Sequence, residues 1–398
     1  MNDALWKTID ASTPVVVIYR GGNGALAIAR SLGRLGVPVY LIAKKGAAAP
    51  VQSSRHWRKR FWWDFSAPPE RTLEFLFDVG REIGGRPLLL TLADWAAVFI
   101  EQHAGALAHR FVFPRACEPV IERLADKWTM FDLARSSGIP TPATVLPRSR
   151  EEIDACIRAW GFPIVMKTAD PFAAYIPSKA IVSSEAELFA KYEADSKAGG
   201  PNLILQEYIP GSARDVWMCN AYFTHESECK AVFTGRKLRQ MDRTGVASLA
   251  VCEPNDAVAE QTRHFMQSVG YAGAVGIGYR FDSRDGQYKV LDVNPRVSGV
   301  FRLFCSRNGL DVVRACYLDL TGQQVPQAQT DAGRKWMLED DVFAARAEGL
   351  RLTQWLRSIR GVRETQWFAA DDPLPGLRWA WDRANAQLAS FRARRIAR

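Results

Sequence analysis

Asp285-Gly286-Gln287-Tyr288-Lys289-Val290-Leu291-Asp292-Val293-Asn294-Pro295-Arg296 is the stretch on which the reading of this chain turns. Arg284-Asp285-Gly286 forms a turn and feeds an apolar strand that ends in a carboxylate, an amide and a guanidinium. Side chains alternate faces along a strand, so Asp292 and Asn294 point the same way as two neighbouring oxygen ligands. Hard divalent cations such as Mg²⁺ take oxygen ligands and usually bridge them to phosphate. Arg296, just beyond the strand, presents a planar fork that suits phosphoryl or carboxylate oxygens.

Working outward, 398 residues predict two or three domains with room for buried cores. A composition of 47% hydrophobic and 24% charged residues argues against a disordered chain. No apolar run approaches the length of a membrane span. The N-terminus has no basic region followed by an apolar core, so it does not read as a signal peptide. The seven cysteines are scattered without a C-x-x-C pair, and the five histidines show no metal-pair spacing. That usage argues against a disulfide framework or a zinc site and suits a reducing, cytoplasmic compartment.

The net charge of +9 is the one unusual total. It concentrates in Arg55-His56-Trp57-Arg58-Lys59-Arg60-Phe61-Trp62-Trp63 and in Arg392, Arg394, Arg395 and Arg398. Interleaved basic and aromatic residues can bind single-stranded nucleic acid. No nucleic-acid-binding motif accompanies them, so nucleic acid is not expected as a partner, and a solvated basic rim is the simpler reading.

Val15–Tyr19, Val37–Ile42 and Pro87–Leu92 read as buried strands with helices between them, which predicts a parallel α/β sheet. Gly22, Gly24 and Ala27 fit G-x-G-x-x-A, a pattern that lets a phosphate approach a helix N-terminus. The second strand, however, runs into Ala43-Lys44-Lys45 rather than an acidic residue for an NAD ribose. The residues admit a tight structural turn or an NADP site. Ser137-Gly138-Ile139-Pro140-Thr141-Pro142 breaks the chain after a helical linker around Asp126–Leu133. A compact unit of helices (149–160, 185–195) and strands (163–168, 180–183, 202–209) follows, then antiparallel strand-like runs over Val216–Val251. From about Lys335, Trp336, Trp355, Trp367, Trp379 and Trp381 mark a helical C-terminal extension: a cap, a dimer contact or simply core.

Lys167 closes the apolar run Pro163–Met166, where a buried ammonium needs an anionic partner, and phosphate oxygens serve that need. Lys127 precedes it, and Lys179 follows a loop, 169–178, suited to covering a nucleotide. In Leu203-Ile204-Leu205-Gln206-Glu207-Tyr208-Ile209-Pro210-Gly211, a strand edge with free backbone groups can pair with an adenine edge. Asp215 follows at a reach suited to ribose hydroxyls.

The order of these features resembles the ATP-grasp superfamily over about Asp126 to Leu320. Phe233-Thr234-Gly235-Arg236-Lys237-Leu238-Arg239-Gln240, taken with the Asp292–Arg296 strand, resembles the carboxylate–amine ligase branch that includes D-aspartate ligase. The resemblance implies an α/β fold, α+β in its central part, in three domains. These are a parallel α/β pre-ATP-grasp domain (1–125), an ATP-grasp domain (126–325, with its lid at about 145–210) and the helical extension (326–398). It implies ATP and Mg²⁺, or Mn²⁺ in its place, and small carboxylate and amine substrates joined through an acyl phosphate. It further implies that Lys127, Lys167 and Lys179 hold phosphates and that Gln206, Glu207 and Ile209 face adenine. Asp215 would bind ribose, and Asp292 and Asn294 the metal. Arg296, with Lys237 or Arg239, would stabilise the transferring phosphoryl group. Most family members carry a further metal carboxylate about a dozen residues earlier. Here that place falls on Gly278 or Tyr279, and Asp282 either substitutes or shapes the hairpin turn. Two other readings stand beside the ligase: a nucleotide-binding protein without catalysis, and an NADP oxidoreductase built on Gly22 and Gly24.

Overall fold

The computed structural model describes residues 6–21, 24–46, 49–170, 179–199, 202–241 and 245–396. Gly22 and most of the expected 169–178 loop lie outside them. Three sheets organise the chain. The first comprises β1 (Val15–Tyr19), β2 (Val39–Ala43), β3 (Trp57–Trp62) and β4 (Leu88–Thr91), all parallel, in the order β3-β2-β1-β4. Every residue of β1 is buried, because helices cover both faces. Val15, Val17 and Tyr19 share a core with Ile28 and Leu32 of the helix Ala25–Gly33. Val16 and Ile18 face Leu76 and Val79 of the helix Pro69–Ile83 and Ile100 of the helix Asp94–Gln102.

The basic-aromatic cluster turns out to be the edge strand β3. The register slips by one residue between Val39–Trp57 and Tyr40–Lys59. This bulge lets Trp57 enter one core and Phe61 the other, while Arg58 and Lys59 stay exposed. Charged side chains on a free edge also oppose strand-to-strand association.

The second sheet comprises β5 (Thr144–Val145), β6 (Ile164–Thr168), β7 (Lys179–Val182) and β8 (Leu203–Glu207), paired antiparallel in the order β5-β8-β6-β7. Ile164, Met166, Leu203 and Leu205 pack with Ile153 and Cys156 of the helix Arg150–Trp160 and with Leu188 of the helix Glu185–Gly199. The alternate residues, Val165, Lys167 and Gln206, therefore face the other way. Ser149 starts the helix Arg150–Trp160 by accepting a hydrogen bond from the Glu152 N–H, and Gly161 ends it at φ 64°.

The third sheet comprises β9 (Val216–Phe223), β10 (Cys229–Gln240), β11 (Ala247–Cys252), β12 (Gly273–Asp282), β13 (Gln287–Asn294), β14 (Lys335–Met337) and β15 (Val362–Thr365). Its order is β13-β12-β9-β10-β11-β14-β15, antiparallel except for the β14–β15 pair. The C-terminal segment carries the expected helices, Asp341–Ala347, Leu352–Ser358 and Leu374–Ile396, but it is not helical alone. It adds two strands to the sheet, and Trp336 of β14 is 2% exposed within the core that also holds β1. Its sequence alternates too briefly to announce strands, because the edge of an existing sheet supplies their partner. Asp372 then ties the segment to the N-terminal sheet unit. Its carboxylate accepts from Arg30 Nε (3.0 Å), Ser54 Oγ (2.7 Å) and the Arg55 N–H (3.0 Å), fully buried. Among the described residues no helix is long and apolar enough to cross a membrane.

Candidate active site

The second and third sheets face each other across a cleft of about 700 Å³. Its floor is one face of the third sheet. The register places Gly276 opposite Asn220 and Asn294, and Gly278 opposite Met218 and Asp292. All six line the cleft. Because pleating alternates, Cys219, Ile277, Tyr279 and Val293 face the opposite core. This parity separates the two positions, Gly278 and Tyr279, considered for the further carboxylate. Tyr279 is fully buried, with its hydroxyl 2.8 Å from Thr262 Oγ1, while Gly278 faces the cleft. A Cβ built on Gly278 would meet only Asp292, at 3.9 Å or more, so there is space for a side chain that the sequence does not supply.

Most of the sequence-predicted residues converge here. Lys127, Lys167, Lys179, Gln206, Glu207, Ile209, Lys237, Asp292, Asn294 and Arg296 all line the cleft. Lys127, at the start of the helix Lys127–Ser136, pairs with Asp292 Oδ1. Burial pushes the Asp292 carboxyl up, but Lys127, Lys167 and the Asn294 amide outweigh it and hold it below its usual value. Asn294 Nδ2 donates to Asp292 Oδ2 (3.0 Å) and to the Gly276 carbonyl (3.3 Å), and its Oδ1 accepts from Arg296 Nη2 (3.0 Å).

Lys167 Nζ donates to Gln206 Oε1 (2.8 Å) and to the Leu291 carbonyl (3.1 Å), and lies 5.5 Å from the centre of the Phe131 ring. The Leu291 carbonyl is free because the β12–β13 register slips there, with Gly278 opposite Asp292 but Tyr279 opposite Val290. Among the described residues no carboxylate lies within ion-pair distance of Lys167. Burial first, and the nearby Lys179 second, push its ammonium down to about 7. Gln206 is fixed at its other end, donating from Nε2 to Thr144 Oγ1 (3.0 Å). Glu207 spends its side chain on Arg284 (2.6 Å) and its N–H donates to the Ala143 carbonyl (2.9 Å), because β8 lies between β5 and β6 and is not the free strand edge that the sequence suggests. β8 ends at Glu207, and Tyr208 and Ile209 continue along the cleft wall outside any strand.

Three predicted residues stand outside the cleft. Arg239 is buried against Asp341, with Glu348 at 3.3 Å. It lies two residues from Lys237 and would share its face in a regular strand. The register, however, slips between Lys237–Ala250 and Arg239–Leu249 and turns Arg239 away. Asp282 is fully buried between Arg284 (2.6 Å) and Lys289 (2.7 Å) at the β12–β13 turn. The Arg284 hydrogen bond holds it well below the usual carboxylate range. It shapes the turn and lies away from the cleft. Asp215 accepts from the Ser212 N–H (2.6 Å) and Oγ (3.0 Å) in a capping box, and its carboxylate is engaged in that turn.

Asp94 is the residue that sequence reading missed. It opens the helix Asp94–Gln102 beyond β4, lines the cleft and grips Arg296 through two contacts of 2.8 and 3.2 Å. The signal available was its position, a carboxylate in the first turn of the helix that follows a parallel strand. Arg280 and Asn220, also unforeseen, line the cleft as well. The donor set fits one Mg²⁺ carried on phosphates: a carboxylate and an amide oxygen on one face, with remaining positions for phosphate and water. It does not build an all-protein cage. Among the described residues no group of three or more His, Cys, Asp or Glu side chains converges. The Gly24 turn is occupied by the protein itself, since a Cβ there would lie 2.4 Å from Leu92 Cδ2 and 3.0 Å from Gly299 Cα. That favours the structural-turn reading over a dinucleotide.

No protein-family model matches the chain. A D-aspartate ligase of Enterococcus faecium is 25% identical over 274 residues, covering 63% of this chain and 64% of the ligase. The chain therefore spans less than two thirds of that relative's length. Among solved structures, an N5-carboxyaminoimidazole ribonucleotide synthetase in complex with ADP superposes with a TM-score of 0.63 at 13% identity, over 87% of each chain. An L-amino acid ligase from Bacillus licheniformis superposes with a TM-score of 0.59 at 13% identity, over 78% of this chain and 74% of that one. Taken together, the shared architecture shows that the chain has the fold of these enzymes, and its sequence is similar to that of a D-aspartate ligase.

Proposed function

We propose that the chain is an ATP-dependent ligase that joins a carboxylate to an amine. The observation that carries this reading is the charge of the cleft. Lys127, Lys167, Lys179, Lys237, Arg280 and Arg296 face three carboxylates, Asp94, Glu207 and Asp292. The surplus of positive side chains suits the phosphates of Mg·ATP together with a substrate carboxylate. The sequence match to a D-aspartate ligase supports the carboxylate–amine branch and an acidic amino acid among the candidate substrates.

In this reading a carboxylate oxygen of the first substrate attacks the γ-phosphorus of ATP. The bond from that phosphorus to the β-phosphate oxygen breaks, giving an acyl phosphate and ADP. The amine nitrogen then attacks the acyl carbon, the carbon–oxygen bond to phosphate breaks, and phosphate leaves as the nitrogen loses its proton to solvent. Lys127, Lys167 and Lys179 hold phosphate oxygens, and Arg296 and Lys237 face the charge that builds on the transferring group. Asp292 and Asn294 would hold Mg²⁺, which neutralises phosphate charge when bound. Tyr208 and Ile209 present backbone to adenine. The second sheet acts as the lid that excludes water from the acyl phosphate.

The test is release of ADP and phosphate by the purified chain with Mg·ATP, pooled carboxylic acids and pooled amines, with amide products identified by mass. ADP release that requires both pools supports the ligase. Mg·ATP binding with no turnover from any pool supports the second reading, a nucleotide-binding protein without catalysis. The absence of a side chain at Gly278, opposite Asp292, is the observation that favours it.

A further inference from the structure

The guanidinium of Arg296 is held almost completely by the protein. Asp94 accepts from its Nε (2.8 Å) and Nη2 (3.2 Å), Asn294 Oδ1 from Nη2 (3.0 Å) and the Val297 carbonyl from Nη1 (3.3 Å). An arginine carries five N–H donors. Four are engaged, so among the described residues one N–H, on Nη1, is left for whatever occupies the cleft. Asp94 is also the one ion-pair partner of Arg296 among the described residues. With its side chain 16% exposed, Arg296 has little water to take that partner's place.

A group that positions another must itself be fixed. Ala96 and Ile100 of the helix Asp94–Gln102 are buried with Val16 and Ile18 of β1 and Leu89 of β4. In the last turn of the same helix, Glu101 accepts from the backbone N–H groups of Val120 (2.8 Å), Ile121 (2.9 Å) and Glu122 (3.3 Å), where the helix Ile121–Ala125 begins. That helix runs into Asp126, which accepts from the Thr129 N–H (2.8 Å) and caps the helix Lys127–Ser136. Lys127 pairs with Asp292, and Asp292 accepts from Asn294. The contacts close a ring that runs from Asp94 through Arg296, Asn294, Asp292 and Lys127 and returns by way of Glu101. One nine-residue helix of the first sheet unit thus anchors the cations on both sides of Asp292 and Asn294.

We propose that Asp94 is a positioning residue for phosphoryl transfer and acts through Arg296. It fixes the guanidinium plane so that the remaining Nη1 N–H meets the charge that builds on the transferring group. The inference rests on the ligase reading above. A donor fixed in advance stabilises developing charge without reorganising, and a misplacement of about 1 Å can cost about 100-fold in rate. A lysine in place of Arg296 would carry the same charge but could not take this double grip.

The experiment uses the full chain with Mg·ATP and the carboxylate and amine pools that support turnover, in a double-mutant cycle on Asp94→Ala and Arg296→Ala. Asp94→Ala lowers kcat about 10- to 100-fold and leaves KM for ATP and for both substrates within about twofold. Asp94→Asn keeps the shape and one acceptor oxygen, gives an intermediate kcat and serves the same cycle. Arg296→Ala lowers kcat about 10²- to 10³-fold. Adding Asp94→Ala to it costs less than about threefold more, because the group to be positioned is already gone. Melting temperatures with and without Mg·ATP show that each variant folds and binds nucleotide. An unchanged kcat in Asp94→Ala, or an equal loss from Asp94→Ala in the wild-type and Arg296→Ala backgrounds, overturns the inference and leaves the ligase reading intact. A loss confined to KM for the amine does the same, since it puts Asp94 on the substrate itself. A wild-type chain that releases no ADP with any pool overturns both.

Discussion

Raising the pH should weaken ATP binding through one group, Lys167. In the empty cleft its ammonium is held down to about 7, against an ordinary 10.5, by burial first and by Lys179 second. Phosphate oxygens on Nζ would reverse that balance and return the bound lysine toward its ordinary value. The free protein is then about 24% charged at Lys167 at pH 7.5 and about 1% at pH 9.0, while the complex stays charged at both. The sign follows from this difference. Binding takes up a proton, so affinity falls as pH rises through the window between the free and bound values. The expected loss from pH 7.5 to 9.0 is about 24-fold, or about 1.9 kcal/mol. Calorimetry of Mg·ATP binding in two buffers of different ionisation enthalpy reads the affinity and the proton count together, with uptake of about 0.9 proton expected at pH 8. Lys167→Arg, charged throughout, should flatten the profile and abolish the uptake. A flat wild-type profile with no proton uptake would refute the placement of Lys167 on the phosphates.

Asp292→Ala should lower ATP turnover by about 10³-fold or more while the protein still folds, measured by ADP release beside circular dichroism. Gly278→Glu places a carboxylate in the space beside Asp292 and should tighten Mn²⁺ binding in the presence of ATP, seen by electron paramagnetic resonance titration; unchanged Mn²⁺ affinity would mean that this face does not hold the ion. Asp282→Asn should lower the melting temperature, since it weakens the pairs with Arg284 and Lys289, yet leave KM for ATP unchanged; a large rise in that KM would return Asp282 to the nucleotide site. Asp372→Ala leaves Arg30 buried without its counter-charge and should cost about 3–5 kcal/mol in urea unfolding.

The parts of the site that could be read from sequence are those set by local periodicity. Asp292 and Asn294 share a face because they are two apart in a regular stretch of β13, and Lys167 turns away from Ile164 and Met166 for the same reason. Reading by twos fails where the ladder slips. The shift beyond Lys237 turns Arg239 into a buried partner of Asp341, and no residue type near it announces the bulge. Asp94 escaped for a different reason. It lies 202 residues from Arg296, and only the docking of the first sheet against the third brings the two side chains together. The same logic gives the empty place at Gly278 its weight. A missing carboxylate in a sequence can be an alignment error, but here Tyr279 is accounted for in the core, Asp282 in the turn, and Gly278 alone faces Asp292. Any metal in this cleft therefore leans on Asp292, on the Asn294 oxygen and on phosphate, so its affinity should depend on bound nucleotide far more than in a site with two protein carboxylates.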